Sequence, residues 1–346
     1  MPEFSQELLD SITIIEAKEV IKMSIEVGRL VNVGFAKEGS RGTPEASATF
    51  WVPRVDFDFN PRVDYAVENA GLGVIDSRSD AKVVEKVGEG SIGGVVYDES
   101  FGLLLAACLG TWSSSTAVDY AYTHSFTRLN SNQHPSLTIF HDDGIVDERF
   151  ALGMLNNLTI NCVVKDFVKY SAGFMSKIGV DTSSSPSYSD EDVFLGTHVT
   201  VKFAATIAAL GAASATPVRA FNITINKNVE DLMELGDDDP ADIVNKALAV
   251  SGDLEATFEN ETIRDYVLDG SKKACLVTIE NTDVTIGNGS TNPKLEITLA
   301  PMSFRDWGRG AGLDDVMTQT VSFDGNFSLD DAKTVSIELV NGNASY

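Results

Sequence analysis

The chain is poor in the residues that build several common kinds of site. It contains 3 cysteines, 4 histidines and 26 lysines and arginines among 346 residues. Cys108, Cys162 and Cys275 lie in apolar or strand-like segments, at no spacing that suits a metal. We therefore expect all three to be small buried hydrophobic residues, and we predict no metal site.

Long apolar runs are also lacking. No stretch approaches the roughly 18 apolar residues that indicate a membrane-spanning helix, and the N-terminal sequence lacks the basic region of a secretory signal. The sequence therefore predicts no membrane contact and synthesis in a reducing cytoplasm.

Positive charge is scarce relative to negative charge. The chain has 51 aspartates and glutamates, which gives a formal net charge of −25. Duplex DNA carries about one negative charge per ~1.7 Å, and proteins that grip it neutralise phosphates with lysine and arginine. A conventional nucleic-acid-binding protein is therefore excluded. The acidity itself suits a soluble surface, a saline habitat or a surface that repels DNA.

The motifs of common enzymes are missing as well. His141-Asp142-Asp143 is the one tight cluster of histidine and acid, and a turn between two strands explains it better than a metal site. The glycine-rich segment 88–94 lacks the lysine of a phosphate-binding loop. Acid clusters at 237–239 and 314–315 lack the ligand spacing of a calcium loop. We predict no enzyme activity and no cofactor.

The patterns that are present indicate β-structure. Apolar and polar residues alternate in several segments, which is typical of strands with one solvent-exposed face. These segments are Val55–Phe59, Val199–Phe203, Phe221–Ile225, Leu295–Leu299 and Val335–Leu339. Residues 239–248 fit either a short helix or a strand. The fold class is therefore predicted to be mainly β.

One β-module occurs twice in the sequence. Residues 251–258 match 90–97 at an offset of 161, and each stretch is followed by a helix start signal and a later glycine. Residues 295–304 match 158–167 at an offset of 137. The second copy is shorter than the first, and the piece that it lacks corresponds to residues 111–135. This segment is therefore predicted to be a long loop that only the first copy contains.

The predicted domain organisation follows from this repeat. It consists of an N-terminal arm (1–28), a first module (29–180), a serine-rich linker (181–197) and a second module (198–346). Each module is expected to be a small β-sandwich or partial barrel with one short flanking α-helix that covers an open side.

Several segments together resemble the tail tube proteins, or major tail proteins, of long-tailed phages of the siphovirus type. The similarity covers about residues 30–340 and lies in the order and spacing of strands and turns. The N-terminal arm falls outside it. The segments are 34–59, 90–94, 151–160, 225–231, 235–236 and 250–255.

This resemblance implies a structural protein of the virion tail that forms rings, which stack into the tube for genome ejection. In this family six modules commonly form one ring around a negative lumen, with sheet edges closed by the neighbouring subunit. Three chains of two modules would then complete a pseudo-six-fold trimer, with a true hexamer as the alternative. The implied partners are the tape measure protein, the tail terminator and tail tip proteins, and viral DNA that passes without specific binding.

Some acidic residues are therefore expected to face the lumen. A like-charged wall repels DNA over about a Debye length, roughly 8 Å at physiological salt. The candidates occupy polar positions of alternating strands or adjoining turns, where ordinary solvent-facing residues also lie. They are Asp56, Asp58, Asp64, Glu68, Glu255, Glu259 and Glu296.

An alternative function, from the class of binding proteins, is that of a β-sandwich that binds carbohydrate or another ligand at a virion or cell surface. It would use exposed tryptophans, Trp51, Trp112 or Trp307, as stacking platforms. Trp51 follows Phe50 in a strand-like run, which favours core packing instead. A binding module would also remain a monomer or dimer, whereas a tube protein forms rings.

Overall fold

The computed structural model describes residues 26–115, 120–289 and 291–346. The strands of the first half are β1 (Asn32–Lys37), β2 (Phe50–Val52), β3 (Arg54–Glu68), β4 (Asp80–Val95), β5 (Gly110–Ser114), β6 (Tyr122–Arg128), β7 (Leu137–Asp142), β8 (Asp147–Val163), β9 (Lys169–Lys177) and β10 (Val180–Asp181). Those of the second half are β11 (Val199–Ala204), β12 (Ala220–Asn226), β13 (Val229–Leu232), β14 (Asp242–Asn245), β15 (Ala249–Thr257), β16 (Lys273–Glu280), β17 (Lys294–Gly310), β18 (Thr318–Asp324) and β19 (Val335–Asn341). The α-helices are α1 (Phe101–Leu109) and α2 (Thr262–Leu268), and short 3-10 turns lie at Gly28–Leu30, Gly196–His198 and Ile207–Ala212. The prediction of a mainly β fold is confirmed.

The largest sheet contains eight antiparallel strands in the order β3-β4-β9-β8-β12-β15-β18-β17. We call it the eight-stranded sheet. β8 and β17 contribute only their C-terminal halves, because the N-terminal half of each pairs with strands of a different sheet. The pairing of β8 with β12 joins the two halves of the chain into one continuous surface, with Asn161 opposite Asn222 and Thr159 opposite Thr224.

Two shorter sheets begin where β8 and β17 leave the eight-stranded sheet. The N-terminal half of β8 pairs with β7 and β10, and β1 and β2 extend this sheet beyond β7. The N-terminal half of β17 pairs with β16 and β19, and β11, β6 and β5 complete that sheet. One hydrophobic core spans both halves of the chain and includes Phe174 and Phe323.

Both predicted helices are present, one after β4 and one after β15. Every residue of α1 is buried, which explains why the segment is apolar on all sides rather than on one stripe. It ends at Gly110, whose φ of 87° is a left-handed conformation that glycine adopts without strain. Among the described residues, neither helix has the length and apolar character needed to cross a membrane.

The two halves of the chain share one order of strand pairing. β1-β7-β8-β9-β4-β3 in the first half corresponds to β11-β16-β17-β18-β15-β12 in the second. Gly90 and Gly252 occupy corresponding positions, since a Cβ atom on either would lie within about 2 Å of a backbone oxygen of the adjacent strand: 1.8 Å from Asp58 and 2.1 Å from Asn222.

The structure corrects the registers predicted from sequence. Gly90 corresponds to Gly252, one residue away from the predicted match with Ser251. The predicted match of Leu158 with Leu295 is wrong, because Leu158 lies in the eight-stranded sheet, whereas Leu295 pairs with β16 and β19. β8 and β17 each run through two sheets and have similar alternating patterns of apolar and polar residues, and this similarity produced the false match.

The segment 111–135, predicted to be a long loop, contains a β-hairpin instead. β5 pairs with β6, and β6 pairs with β19 of the second half. Its polar composition reflects a position at the edge of a sheet, where β5 is largely exposed. The first half of the chain thus supplies two strands to a sheet of the second half.

The remaining segment predictions have mixed outcomes. Most of the predicted N-terminal arm lies outside the described residues. The serine-rich segment is irregular from residue 182 to 192 and then forms an isolated bridge between Val193 and Tyr97. Residues 242–245 form strand β14, which decides between the two predicted conformations of that segment.

Candidate assembly surface

The eight-stranded sheet has one apolar face and one polar face. In β12, Phe221, Ile223 and Ile225 are buried in the core, while Asn222 and Thr224 point to the opposite side and are partly exposed. The same alternation holds in β8, β15 and β18. We call the side opposite the core the polar face. Thr159 and Thr224 share a hydrogen bond of 2.9 Å across it, at the junction between the halves.

Acidic residues are distributed along the polar face. Asp56 and Asp58 lie on β3, Asp253 and Glu255 on β15, and Asp324 on β18. Glu255 lies 3.6 Å from Arg219, and Asp324 lies 3.0 Å from Arg305. Among the described residues, Asp56, Asp58 and Asp253 form no ion pair, so their charge is not neutralised locally.

Three of the seven predicted acidic residues lie on this face: Asp56 and Asp58 on β3, and Glu255 on β15, with β4, β9, β8 and β12 between them. Asp64 and Glu68 lie farther along β3, where the β3–β4 hairpin continues past the last pair between β4 and β9, Val87 and Lys177. The other two predicted residues, Glu259 and Glu296, also lie away from the polar face.

Glu259 is exposed in the segment between β15 and α2. Glu296 lies in the N-terminal half of β17, within a shorter sheet, and its carboxylate is 3.2 Å from Lys294 Nζ.

Sequence reasoning missed Asp253 and Asp324. Asp253 stands two residues before Glu255, and this spacing places both on the same face of a strand.

The eight-stranded sheet ends in two free edges. Within the described part of the chain, β3 pairs only with β4, and residues 303–310 of β17 pair only with β18. Exposed edges present unpaired backbone donors and acceptors that can join another strand. Inside the chain, β8 pairs with β12. In the comparison of the two halves, β17 corresponds to β8 and β3 corresponds to β12. The two free edges are therefore the counterparts of the two strands that pair inside the chain.

The tryptophans do not form exposed stacking platforms. Trp51 is buried and packs against Phe140, with 6.3 Å between the ring centroids. Trp307 is partly buried, and its Nε1 donates a hydrogen bond of 3.1 Å to Gln319. Trp112 is partly buried beneath Lys37 Nζ, 4.5 Å from the ring. This arrangement gives no support to the predicted alternative of a carbohydrate-binding module.

The histidine and acid cluster is a turn. Asp142 ends β7, and its Oδ1 accepts a hydrogen bond from Gly144 N. Asp143 Oδ1 accepts from Ile145 N and Val146 N, and these bonds lower the pKa of Asp143 against the opposing effect of burial. Across the described ranges, no group of three or more histidine, cysteine or acidic side chains is arranged to hold a metal ion.

A comparison with protein families agrees with this architecture. The family model for phage tail tube proteins matches residues 28–326. The chain belongs to this family. A comparison with curated proteins gives no match. The predicted resemblance is thereby confirmed: the chain is a structural component of a phage tail, in a family that assembles into the tail tube and is generally not enzymatic.

Proposed function

We propose that the chain consists of two tandem tail tube modules and that three chains close a ring with pseudo-six-fold symmetry. The observation that carries this proposal is the pairing of β8 with β12. This pairing supports the proposal because it joins the sheets of the two halves of the chain and leaves the corresponding edges, β17 and β3, free. Repeating the same contact between chains pairs both free edges of the eight-stranded sheet and removes the aggregation hazard of these open edges.

The internal contact also predicts the register between chains. Asn161 corresponds to Gly310, because their partners Lys169 and Thr318 occupy matching positions on β9 and β18. Asn222 corresponds by the same reasoning to Asp58. Since Asn161 pairs with Asn222 inside the chain, Gly310 of one chain is expected to lie opposite Asp58 of the next.

The polar face would then line the lumen. Near the junction of the two halves its side chains are short and polar, as at Thr159, Asn161, Asn222 and Thr224. Three carboxylates per chain, Asp56, Asp58 and Asp253, have no ion-pair partner among the described residues. Such a wall repels DNA within about 8 Å and offers few groups that bind phosphate. The genome would therefore pass during ejection without forming specific contacts.

The tube would occupy the virion tail together with other tail proteins. The protein would be made in the host cytoplasm and assembled there around the tape measure protein. The tail terminator and tail tip proteins would bind the two ends of the tube, where the last ring leaves its stacking surface unpaired. A virion tail component with this role needs no cofactor.

A disulfide between chains tests the ring. The variant Asp58→Cys/Gly310→Cys places two cysteines directly opposite each other, at the Cα separation of about 4.5–5.5 Å that a disulfide spans. The native cysteines are buried and do not compete. After mild oxidation, denaturing electrophoresis should show one, two and three linked chains and no higher species.

The matched control is Asp58→Cys/Gly308→Cys, which shifts one cysteine by two residues along the same face and out of bonding distance. It should remain uncrosslinked. A ladder of linked chains that ends at six would indicate a hexameric ring instead of a trimeric one. Equal crosslinking of both variants would refute the predicted register between chains.

Charge reversal tests the lumen. The triple variant Asp56→Lys/Asp58→Lys/Asp253→Lys should assemble tubes but slow or block DNA delivery, because cations on the wall bind phosphates. The matching change of the three residues to asparagine should deliver DNA far better than the lysine variant. Normal delivery by the lysine variant would exclude a lumen position for these residues.

A further inference from the structure

A polar cavity lies between the two halves of the chain, away from the polar face. It has a volume of about 250 Å³, several times the roughly 30 Å³ that one water molecule occupies. The first half contributes the segment between β6 and β7, and the second half contributes the ends of β12 and β14. The lining includes Arg128, Asn132, Lys227 and Lys246.

Lys227 is the unusual residue in this cavity. Its side chain is only 1% exposed, and its Nζ donates a hydrogen bond of 2.8 Å to the backbone oxygen of Ala107 in α1. An ammonium group has three donors, and no other described residue accepts a hydrogen bond from it. Burial lowers the pKa of Lys227 to about 8, so the group remains mostly charged at neutral pH. A buried charge without a counter-ion is costly.

Each carboxylate near the cavity already has a cationic partner, which is the lining residue Lys246 in one case and Arg41, outside the lining, in the other. Glu230 lies 2.9 Å from Lys246, and Asp242 forms an ion pair with Arg41. Among the described residues, no acid pairs with Lys227 or with Arg128, whose guanidinium lies over the ring of Phe327. The cavity therefore has a local excess of positive charge, although the formal net charge of the whole chain is −25.

We propose that this cavity binds a small oxyanion of the phosphate class. Lys227 would contact the anion from the interior, and Arg128 and Lys246 would contact it from the mouth. The side-chain amide of Asn132, which hydrogen-bonds to no other described residue, supplies a further donor. Several donors around a space of this size match an anion with several acceptor oxygens, for which charge-assisted hydrogen bonds are strong.

The bound anion would connect the two halves of the chain. Arg128 and Asn132 belong to the first half, whereas Lys227 and Lys246 belong to the second. An anion that bridges them supplies the missing counter-charge for Lys227 and stabilises the folded chain by an amount that increases with the free anion concentration. This inference is independent of ring formation.

Phosphate serves as the probe. Calorimetric titration of the full chain with sodium phosphate, in sodium chloride of matched ionic strength, should give one binding site per chain. Phosphate should also raise the melting temperature more than chloride does. The variant Lys227→Met keeps the length of the side chain and removes the charge, and it should weaken phosphate binding by about tenfold or more, as expected for a lost hydrogen bond to a charged group.

The matched control is Lys272→Met, which removes an exposed lysine remote from the cavity lining and should bind phosphate as the original chain does. Arg128→Gln changes only the mouth of the cavity, so it remains informative if Lys227→Met fails to fold, and it should also weaken binding. The proposal is overturned if the original chain shows no phosphate binding above the chloride background, or if Arg128→Gln and any folded Lys227→Met bind phosphate undiminished.

Discussion

Asp98 offers a direct test of how burial and charge act together in this fold. It lies between β4 and α1, is 2% exposed, and its Oδ1 accepts a hydrogen bond of 2.9 Å from Asp192 N. Burial raises the pKa of Asp98 to about 7, and the neighbouring carboxylates of Glu99, Asp192 and Glu191 act in the same direction. The pKa values of Glu99 and Glu191 are raised as well, mainly by burial.

The sign of the effect on stability follows from proton binding. An unfolded aspartate has a pKa of about 3.9, so between about pH 4 and pH 7 the folded chain binds a proton that the unfolded chain does not. The stabilising effect is complete below about pH 4 and is lost as the pH rises to about 7. The free energy of unfolding should fall by up to about 1.4 kcal/mol per pH unit across this range because of Asp98 alone.

The variant Asp98→Asn isolates this contribution. Asparagine retains an oxygen that accepts the hydrogen bond from Asp192 N, but it carries no charge at any pH. At pH 8 it should therefore be more stable than the original chain by about 2–4 kcal/mol, and at pH 5 the two should differ much less. Urea unfolding of the unassembled chain at both pH values measures the difference.

Asp56→Asn is the matched control, because Asp56 is exposed and its neutralisation should leave the pH dependence of stability unchanged. The reasoning is refuted if Asp98→Asn has the same pH dependence as the original chain, or if it is less stable at pH 8.

Two further predictions concern close packing. Gly252→Ala should destabilise the chain by about 2–3 kcal/mol in urea unfolding, because the new Cβ would lie 2.1 Å from a backbone oxygen of the adjacent strand; Gly71→Ala, with open space around it, should change stability by no more than about 0.5 kcal/mol. Tyr346→Phe should cost about 1–2 kcal/mol in thermal unfolding, since the partly buried hydroxyl donates to the backbone oxygen of Glu99. Tyr65→Phe, at an exposed site, should have almost no effect, and equal losses for Tyr65 and Tyr346 would contradict this assignment.

Local patterns in the sequence predicted local structure well. The alternation in residues 221–225 identified a strand and its buried face, because side chains on a strand alternate between its two sides. The turn at Asp142 and Asp143 followed from side chains that bond to nearby backbone N–H groups. The helix after β4 followed from the start signal before it and the glycine at its end.

The candidate surface was predictable only in part. Asp56, Asp58 and Glu255 lie at exposed or partly exposed positions of strands in the eight-stranded sheet, but Glu296 has the same local pattern and lies in a different sheet. A period of two tells which residues share a face of one strand. It contains no information about the sheet to which that strand belongs.

The sequence by itself determined the β class, the positions of most strands, the turns and helix ends, and the family, because each depends on residues that are close in the chain or on their order along it. Only the tertiary structure decided that β8 pairs with β12, that β6 joins β19, and that β3 and β17 remain as free edges. These pairings consist of backbone hydrogen bonds between distant segments, and the backbone is chemically the same at almost every residue. The choice among partners is therefore made by the packing of the whole core, which the local sequence does not encode.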